Sequence, residues 1–385
     1  MTVPVLILLG GGVDSVSIVG RAAEMGIETV LVDRVIPRNY TGYWVKASCY
    51  HEIETLAGLA RWVEQYNSIP SAVLCAGTDA PDVMAAVARE YGLPGPSVET
   101  AFISKNKLRQ LEALRQAGVR VPETRIATNA GTFTRAETFN RGNILIKPST
   151  SRGARGVQLY GDGDPVPPGA IELAASFGAP ALVQEWIDGQ QLSSESLVQD
   201  GEILWTAFAD RNYSRLEEFK PHVIEDGCDM PSDIPCFFEK NWQEMADEQL
   251  QRCVMALGLR SGVLKGDLVW DGDRIWVIEV ACRLSGGRMC SDITPEVWGV
   301  DFVGLAIRLA LGDRIWPGEV RPYVRRYACQ RFSFPIAPQS HPERGPSIIA
   351  YGKTREDAQE AALQRLGELG HLSAISGPAP VFAEQ

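Results

Sequence analysis

"VLKGDLVWDGDRIWVIEVACRLSGGRM", residues 263–289, holds two alternating runs, Leu264–Trp270 and Arg274–Val280, separated by Asp271-Gly272-Asp273. Asp-Gly is strong turn chemistry, so the stretch predicts a β-hairpin. Alternation on paired strands aims Asp267 and Glu279 at one spot, where two carboxylates can share divalent cations such as Mg²⁺ bound to phosphates. Arg283 follows shortly after, and Gly286-Gly287 could bring backbone N–H groups close to an anion. Together these make a floor for phosphoryl transfer. The plainer reading is a hairpin with exposed acids and a glycine turn.

Upstream, "ILIKPSTSRGARGV" (144–157) puts Lys147 at the end of a buried strand, followed by hydroxyls, Gly153 and Gly156. Glycines let amides close over phosphate oxygens while lysine supplies a point charge; an ordinary surface turn has the same composition. "ALVQEWIDGQQLSSES" (181–196) reads as a strand ending in an acidic-aromatic-aliphatic triplet, which can present backbone groups to adenine as a hinge. A strand followed by a polar turn looks alike.

The chain begins with "LILLGGGVDSVSIVGRAAEMGIETVLVD" (6–33), a βαβ pattern of apolar run, helical spacing and second apolar run. Gly10–Ser15 differs at one position from the SGGxDS loop with which PP-loop enzymes grip pyrophosphate, Gly10 standing in place of the leading Ser. Ala72–Ala76 reads as another strand, with Thr78 as an N-cap candidate for a helix to Tyr91, and Ser104–Gln116 as one amphipathic helix. Past Gly312 the chain reads as a separate strand-rich tail, ending in a helix from Thr354 to Leu369 with a capping box at Thr354 and Asp357.

Composition bounds the function. A chain of 385 residues, 45% hydrophobic, buries a large core in two or three domains. Its 37 basic against 48 acidic residues give −11, which argues against nucleic acid or an anionic membrane as partner. Eight scattered cysteines without a CxxC pair indicate neither a zinc site nor a disulfide framework. With no basic leader and no apolar run of membrane length, the expectation is a cytoplasmic protein.

Taken in order, the pieces resemble the ATP-grasp superfamily. Lys107 and Lys147 match its two nucleotide lysines, and Ser149–Gly156, with Ser149, Gly153 and Gly156, its phosphate loop. Gln184-Glu185-Trp186-Ile187 matches the adenine hinge, and Asp267, Glu279 and Arg283 the metal and catalytic motif. Two positions depart from the pattern. Gln191 replaces the Glu that usually holds the ribose, with Glu195 a nearby substitute, and Ala281 replaces an Asn that usually binds one magnesium.

The resemblance implies an α/β protein of ATP-grasp fold. A Rossmann-like α/β domain would span 1–103 and an ATP-grasp domain 104–312, with a mobile lid over about 120–187; a small α+β domain would span 313–385. It further implies ATP with Mg²⁺, which Mn²⁺ can replace. The segment 282–288 and "FKPHVIEDGCDMPS" (219–232) resemble carboxylate–amine ligases of the amino-acid-ligase type. These ligases join a carboxylate to an amine through an acyl phosphate, releasing ADP and phosphate. In that picture Arg283, Lys147 and Arg288 are catalytic, and His222, Glu225, Arg283, Gly286, Gly287 and Arg288 face small-molecule substrates; homodimerisation stays open. The alternatives are an AMP-forming PP-loop ligase and a non-catalytic ATP-binding regulatory module.

Overall fold

Strand β1 (Val5–Gly10) is buried along its whole length and pairs in parallel with both β2 (Glu28–Asp33) and β4 (Ala72–Ala76). Such two-sided burial suits its continuous aliphatic run, because helices cover both faces of the sheet. Helix α1 (Asp14–Glu24) connects β1 to β2; β3 (Tyr43–Lys46) is the edge strand, α2 (Glu52–Tyr66) leads to β4, and α3 (Pro81–Tyr91) follows it. The strand order is β3-β2-β1-β4. The computed structural model describes residues 3–37, 40–127, 142–151, 153–234, 241–334 and 344–376.

Two expectations for the helices change. Thr78 does not cap α3; Ala80 does, with Pro81 at the first helical position, where a missing N–H costs nothing. The single helix expected over 104–116 is two, α4 (Val98–Lys105) and α5 (Lys107–Gln116). Asn106 between them is extended (φ −103°, ψ 107°), and its side chain accepts from Arg109 N. Asparagine competes for local backbone groups and so starts a new helix where apolar spacing alone reads through.

A second sheet, ordered β5-β8-β6-β7, comprises β5 (Thr124–Ile126), β6 (Ile144–Pro148), β7 (Gln158–Tyr160) and β8 (Ala181–Glu185). It packs on α6 (Gly169–Phe177) through Ile144, Ile146, Ile171, Ala174 and Val183. The segment expected to form a lid, about 120–187, contains these elements; of it, 128–141 and Arg152 lie outside the described residues.

The largest sheet has seven strands in the order β13-β12-β9-β10-β11-β14-β15. In chain order these are β9 (Gln190–Gln199), β10 (Glu202–Asn212), β11 (Gly227–Met230), β12 (Gly262–Trp270), β13 (Ile275–Ala281), β14 (Tyr327–Phe332) and β15 (Ser347–Gly352). Helices α7 (Leu216–Phe219), α8 (Trp242–Leu257), α9 (Thr294–Trp298), α10 (Phe302–Leu311) and α11 (Arg355–Ser376) lie between and after them. The β12–β13 hairpin forms as its Asp-Gly turn predicts. The strands after residue 312 do not make a sheet of their own: β14 pairs antiparallel with β11 and extends the central sheet. The capping box before α11 is present, with Thr354 N donating to Asp357 Oδ2 and Asp357 N to Thr354 Oγ1, both at 3.1 Å. No helix among the described residues is long and apolar enough to cross a membrane.

Candidate active site

Pairing of β12 with β13 sets Asp267 directly opposite Glu279 and Lys265 opposite Ala281, all on one face. Pairing of β12 with β9 adds Ser193 opposite Asp267 and Glu195 opposite Lys265. This face carries most of the site's charge. Lys265 Nζ donates to Asp267 Oδ1. Arg211 Nη1 lies 2.9 Å from Asp267 Oδ2, and Arg211 Nη2 donates to Glu225 Oε2 at 2.9 Å. Burial raises the Asp267 pKa, but Arg211 and Lys265 overcome it and hold the carboxyl well below the usual range. Glu279 behaves likewise: burial opposes ionisation, and Lys107, 3.2 Å away, with the other lysines keeps its pKa lowered.

Lys107 opens α5, a position fixed by the break at Asn106, and its Nζ also donates to Ser151 O at 2.7 Å. Lys147 points from β6 into the same region, almost fully buried, and donates to Gln184 Oε1 at 2.8 Å. Its pKa falls to about 8, because burial penalises the cation more than Glu279 supports it. Gln184 in turn donates to Thr124 Oγ1 at 2.8 Å, so its side chain orients the lysine.

In the hinge segment, Glu185 N donates to Glu123 O (2.9 Å) and Trp186 N to Asn143 O (3.0 Å). The Ile187 N–H makes no hydrogen bond among the described residues. An unpaired backbone donor beside a half-buried indole is what an adenine edge requires. Gln191 lies near the start of β9, opposite Val269.

Ser149 is not turned toward the phosphate region: it is buried, its N donates to Gly178 O (3.0 Å) and its O accepts from Lys107 N (3.0 Å). It ties the loop to the end of α6. Gly153 and Gly156 adopt φ of +61° and +73°, so both need the conformation that glycine tolerates best.

Four other expectations are corrected. Glu195 is four residues along β9 from Gln191, about 13 Å at strand rise, and cannot substitute for it at the ribose. Its carboxylate is buried, Oε1 accepts from Ser285 N at 3.1 Å, Oε2 has no partner, and burial raises its pKa to about 7. The backbone after Gly286 already holds an anion from the chain itself, for Arg288 N donates to Asp14 Oδ1 at 2.7 Å. Asp14 thereby closes the Gly10–Ser15 turn, and burial raises its pKa to about 6. The Arg288 guanidinium is taken by Asp292 at 2.8 Å. Glu225 is committed to Arg211, with Arg344 at 3.6 Å. The backbone of His222 bridges Gln158, which does not bear on its side chain.

Sequence reasoning missed Arg211, Lys265 and Asp79. The alternation that found Asp267 also puts Lys265 on its face, a signal that was there to use.

The carboxylate pair fits a divalent cation held partly by other ligands. Among the described residues no three His, Cys, Asp or Glu side chains gather at one point. Asp267 and Glu279 would supply two hard oxygen donors, leaving the remaining positions to phosphate oxygens and water, a set suited to Mg²⁺ or Mn²⁺.

Residues 104–287 match the model of the ATP-grasp domain. A curated relative, "Uncharacterized protein y4rH" of Sinorhizobium fredii (strain NBRC 101917 / NGR234), is 27% identical over 240 residues, 59% of this chain and 46% of that protein. The chain thus spans about half the length of the relative it matches. Among solved structures, an L-amino acid ligase from Bacillus licheniformis superposes with a TM-score of 0.75 at 18% identity, covering 95% of this chain and 97% of that one. The N5-carboxyaminoimidazole synthetase from Staphylococcus aureus complexed with ADP superposes at 0.73 and 12% identity, covering 94% and 97%. A phosphoribosylglycinamide synthetase from Anaerococcus prevotii superposes at 0.69 and 12%, covering 95% and 98%.

Proposed function

The chain carries an ATP-grasp domain and has the ATP-grasp fold, and on that premise we propose that it is an ADP-forming carboxylate–amine ligase acting on amino acids or similar small metabolites. The observation that carries this reading is the direct opposition of Asp267 and Glu279 across the hairpin, with Lys107 3.2 Å from Glu279. Two acids ringed by lysines and arginines form a preorganised charge pattern for a triphosphate with its cation.

Lys107 and Lys147 take the phosphates, and the Ile187 N–H takes the adenine edge. When bound at Asp267 and Glu279, Mg²⁺ or Mn²⁺ supplies charge neutralisation at the transferring phosphoryl group. Arg283 neutralises the acyl phosphate and the tetrahedral intermediate formed when an amine attacks it. The second sheet folds over the nucleotide and keeps out water that would hydrolyse the acyl phosphate.

The test is a screen of paired amino acids for ATP-dependent phosphate release, with the nucleotide product identified. ADP with phosphate is expected; AMP with pyrophosphate would favour the PP-loop alternative. ATP binding without turnover across the panel would favour a regulatory module. Glu279→Gln should lower turnover at least about 100-fold, as loss of a principal electrostatic group does, while the protein stays folded by circular dichroism. Near-normal activity in that variant would overturn the assignment.

A further inference from the structure

In the N-terminal sheet β1 lies between β2 and β4, so the loops after β1 and β4 leave toward opposite faces. Such a switch point leaves a crevice at the carboxyl ends of the strands, the preferred ligand position in open α/β sheets. Its third wall is the segment after β13. Gly77 N donates to Leu284 O at 3.2 Å, Leu284 N donates to Cys75 O at 3.0 Å, and Ala76 bridges Leu284 in parallel.

Two opposite charges face each other in this crevice. Asp79, on the loop after β4, has Oδ1 4.0 Å from Arg283 Nε, too far for a hydrogen bond. Arg283 Nε is buried without a partner, and the Asp79 carboxylate accepts no hydrogen bond among the described residues. The side chains are only 13% and 19% exposed respectively. A mostly buried carboxylate that accepts nothing from the protein is free to accept from a bound donor. Burial raises the Asp79 pKa, against the pull of Arg283; Glu279, Lys107 and Lys105 also act on it. Lys107 and Glu279 thus lie within electrostatic reach of Asp79.

We propose that Asp79 binds the ammonium group of the amine substrate, which makes the acceptor a cationic primary amine seated in the switch-point crevice next to Arg283. This rests on the ligase reading above. An ammonium group brings three donors, at hydrogen-bond distance, to a carboxylate whose nearest guanidinium stands too far off to donate. The nitrogen then lies near the guanidinium that neutralises the acyl phosphate. When it attacks, the C–N bond forms and the acyl C–O bond to phosphate breaks. Of the two protons the ammonium loses, one leaves on phosphate and one passes to solvent.

Hydroxylamine separates this role from a merely structural one, because it is largely uncharged at neutral pH and needs no counter-charge. With ATP and each common amino acid as carboxylate donor, Asp79→Asn should form hydroxamate within about twofold of wild type. Its kcat/KM for the amine should fall about ten- to hundredfold, mainly through KM, the loss expected of one charge-assisted hydrogen bond. If hydroxamate and amide formation fall together, or neither falls, the proposal is overturned. A second measurement needs no turnover: wild type and Asp79→Asn are titrated by calorimetry with amino acid amides and alkylamines, without ATP. At least tenfold weaker binding by the variant supports the site; equal binding, or no binding by wild type, overturns it. Absence of hydroxamate from wild type with every donor would count against the ligase reading, while the titration still decides the role of Asp79.

Discussion

Lys147 shows how one side chain couples the site to pH. Burial brings its pKa down to about 8, and Glu279 only partly restores it. The cation that phosphate needs is complete below that value and lost above it, so kcat/KM for ATP should fall about tenfold per pH unit on the alkaline side. Arginine stays charged throughout, so Lys147→Arg should flatten that limb even if it lowers the plateau. A wild-type profile level from pH 7 to 10 would exclude Lys147 as the phosphate cation. At this scale the sequence was readable where a residue's role depends on its own strand. Asp267 and Glu279 followed from alternation about one turn. Arg211, 56 positions before Asp267 in the chain, and Asp79 did not, because their partners are brought near only by tertiary pairing. Glu195 was misread for the same reason: proximity in sequence to the hinge says nothing about the 13 Å that an extended strand puts between them.

The sheet proposed to close over the nucleotide depends on a tight crossing at Gly178. Ser149 N donates to its carbonyl, and a Cβ at Gly178 would lie 1.9 Å from Thr150 O. Gly178→Ala must therefore displace the start of the 149–156 loop, at an overpacking cost of about 1–3 kcal/mol. The expected result is a KM for ATP raised about tenfold and faster proteolysis after Arg155 with or without nucleotide, the rest of the fold being unchanged by circular dichroism. Wild-type KM and cleavage rate in a folded variant would show that the loop does not depend on the end of α6. Elements were legible from periodicity and turn chemistry, as for β4 and the β12–β13 hairpin. They were not legible where one polar residue overrides the period, as Asn106 does between α4 and α5. The β9–β10 hairpin turns at Asp200-Gly201 with φ of 55° and 85°; its Asp-Gly signal went unused because β9, before the turn, is rich in Ser and Gln.

Over the whole molecule, the N-terminal sheet and the seven-stranded sheet both grip the segment after β13. Asp14 holds it from the N-terminal sheet, Glu195 from β9, and Gln330 on β14 donates to Gly287 O at 2.6 Å. The order of motifs predicted a family-like arrangement, but this junction could not be read from sequence, since its contacts join backbone groups to side chains far away in the chain. Its tightest point is Gly286, where a Cβ would lie 2.9 Å from the Cα of Gly77. Neither backbone can retreat easily, because Gly77 is bonded to Leu284 and Arg288 to Asp14. Gly286→Ala should thus wedge the N-terminal sheet away from the segment that carries Arg283, at about 1–3 kcal/mol of stability. Lys107, Lys147 and the hinge do not touch Gly77 or Gly286, so ATP affinity should stay within about twofold while turnover falls about 100-fold, the scale set by misplacing a reacting group. Gly287→Ala is the control: Gly287 has φ +72°, but its added Cβ would meet only Phe332 Cζ at 3.8 Å. It should lose about 1 kcal/mol to backbone strain and keep most of its turnover. Nucleotide titration beside steady-state rates on both variants decides the matter. If Gly286→Ala turns over like Gly287→Ala, the close approach of the two glycines does not set the position of Arg283, and the crevice must owe its shape to Asp14 and Gln330 instead.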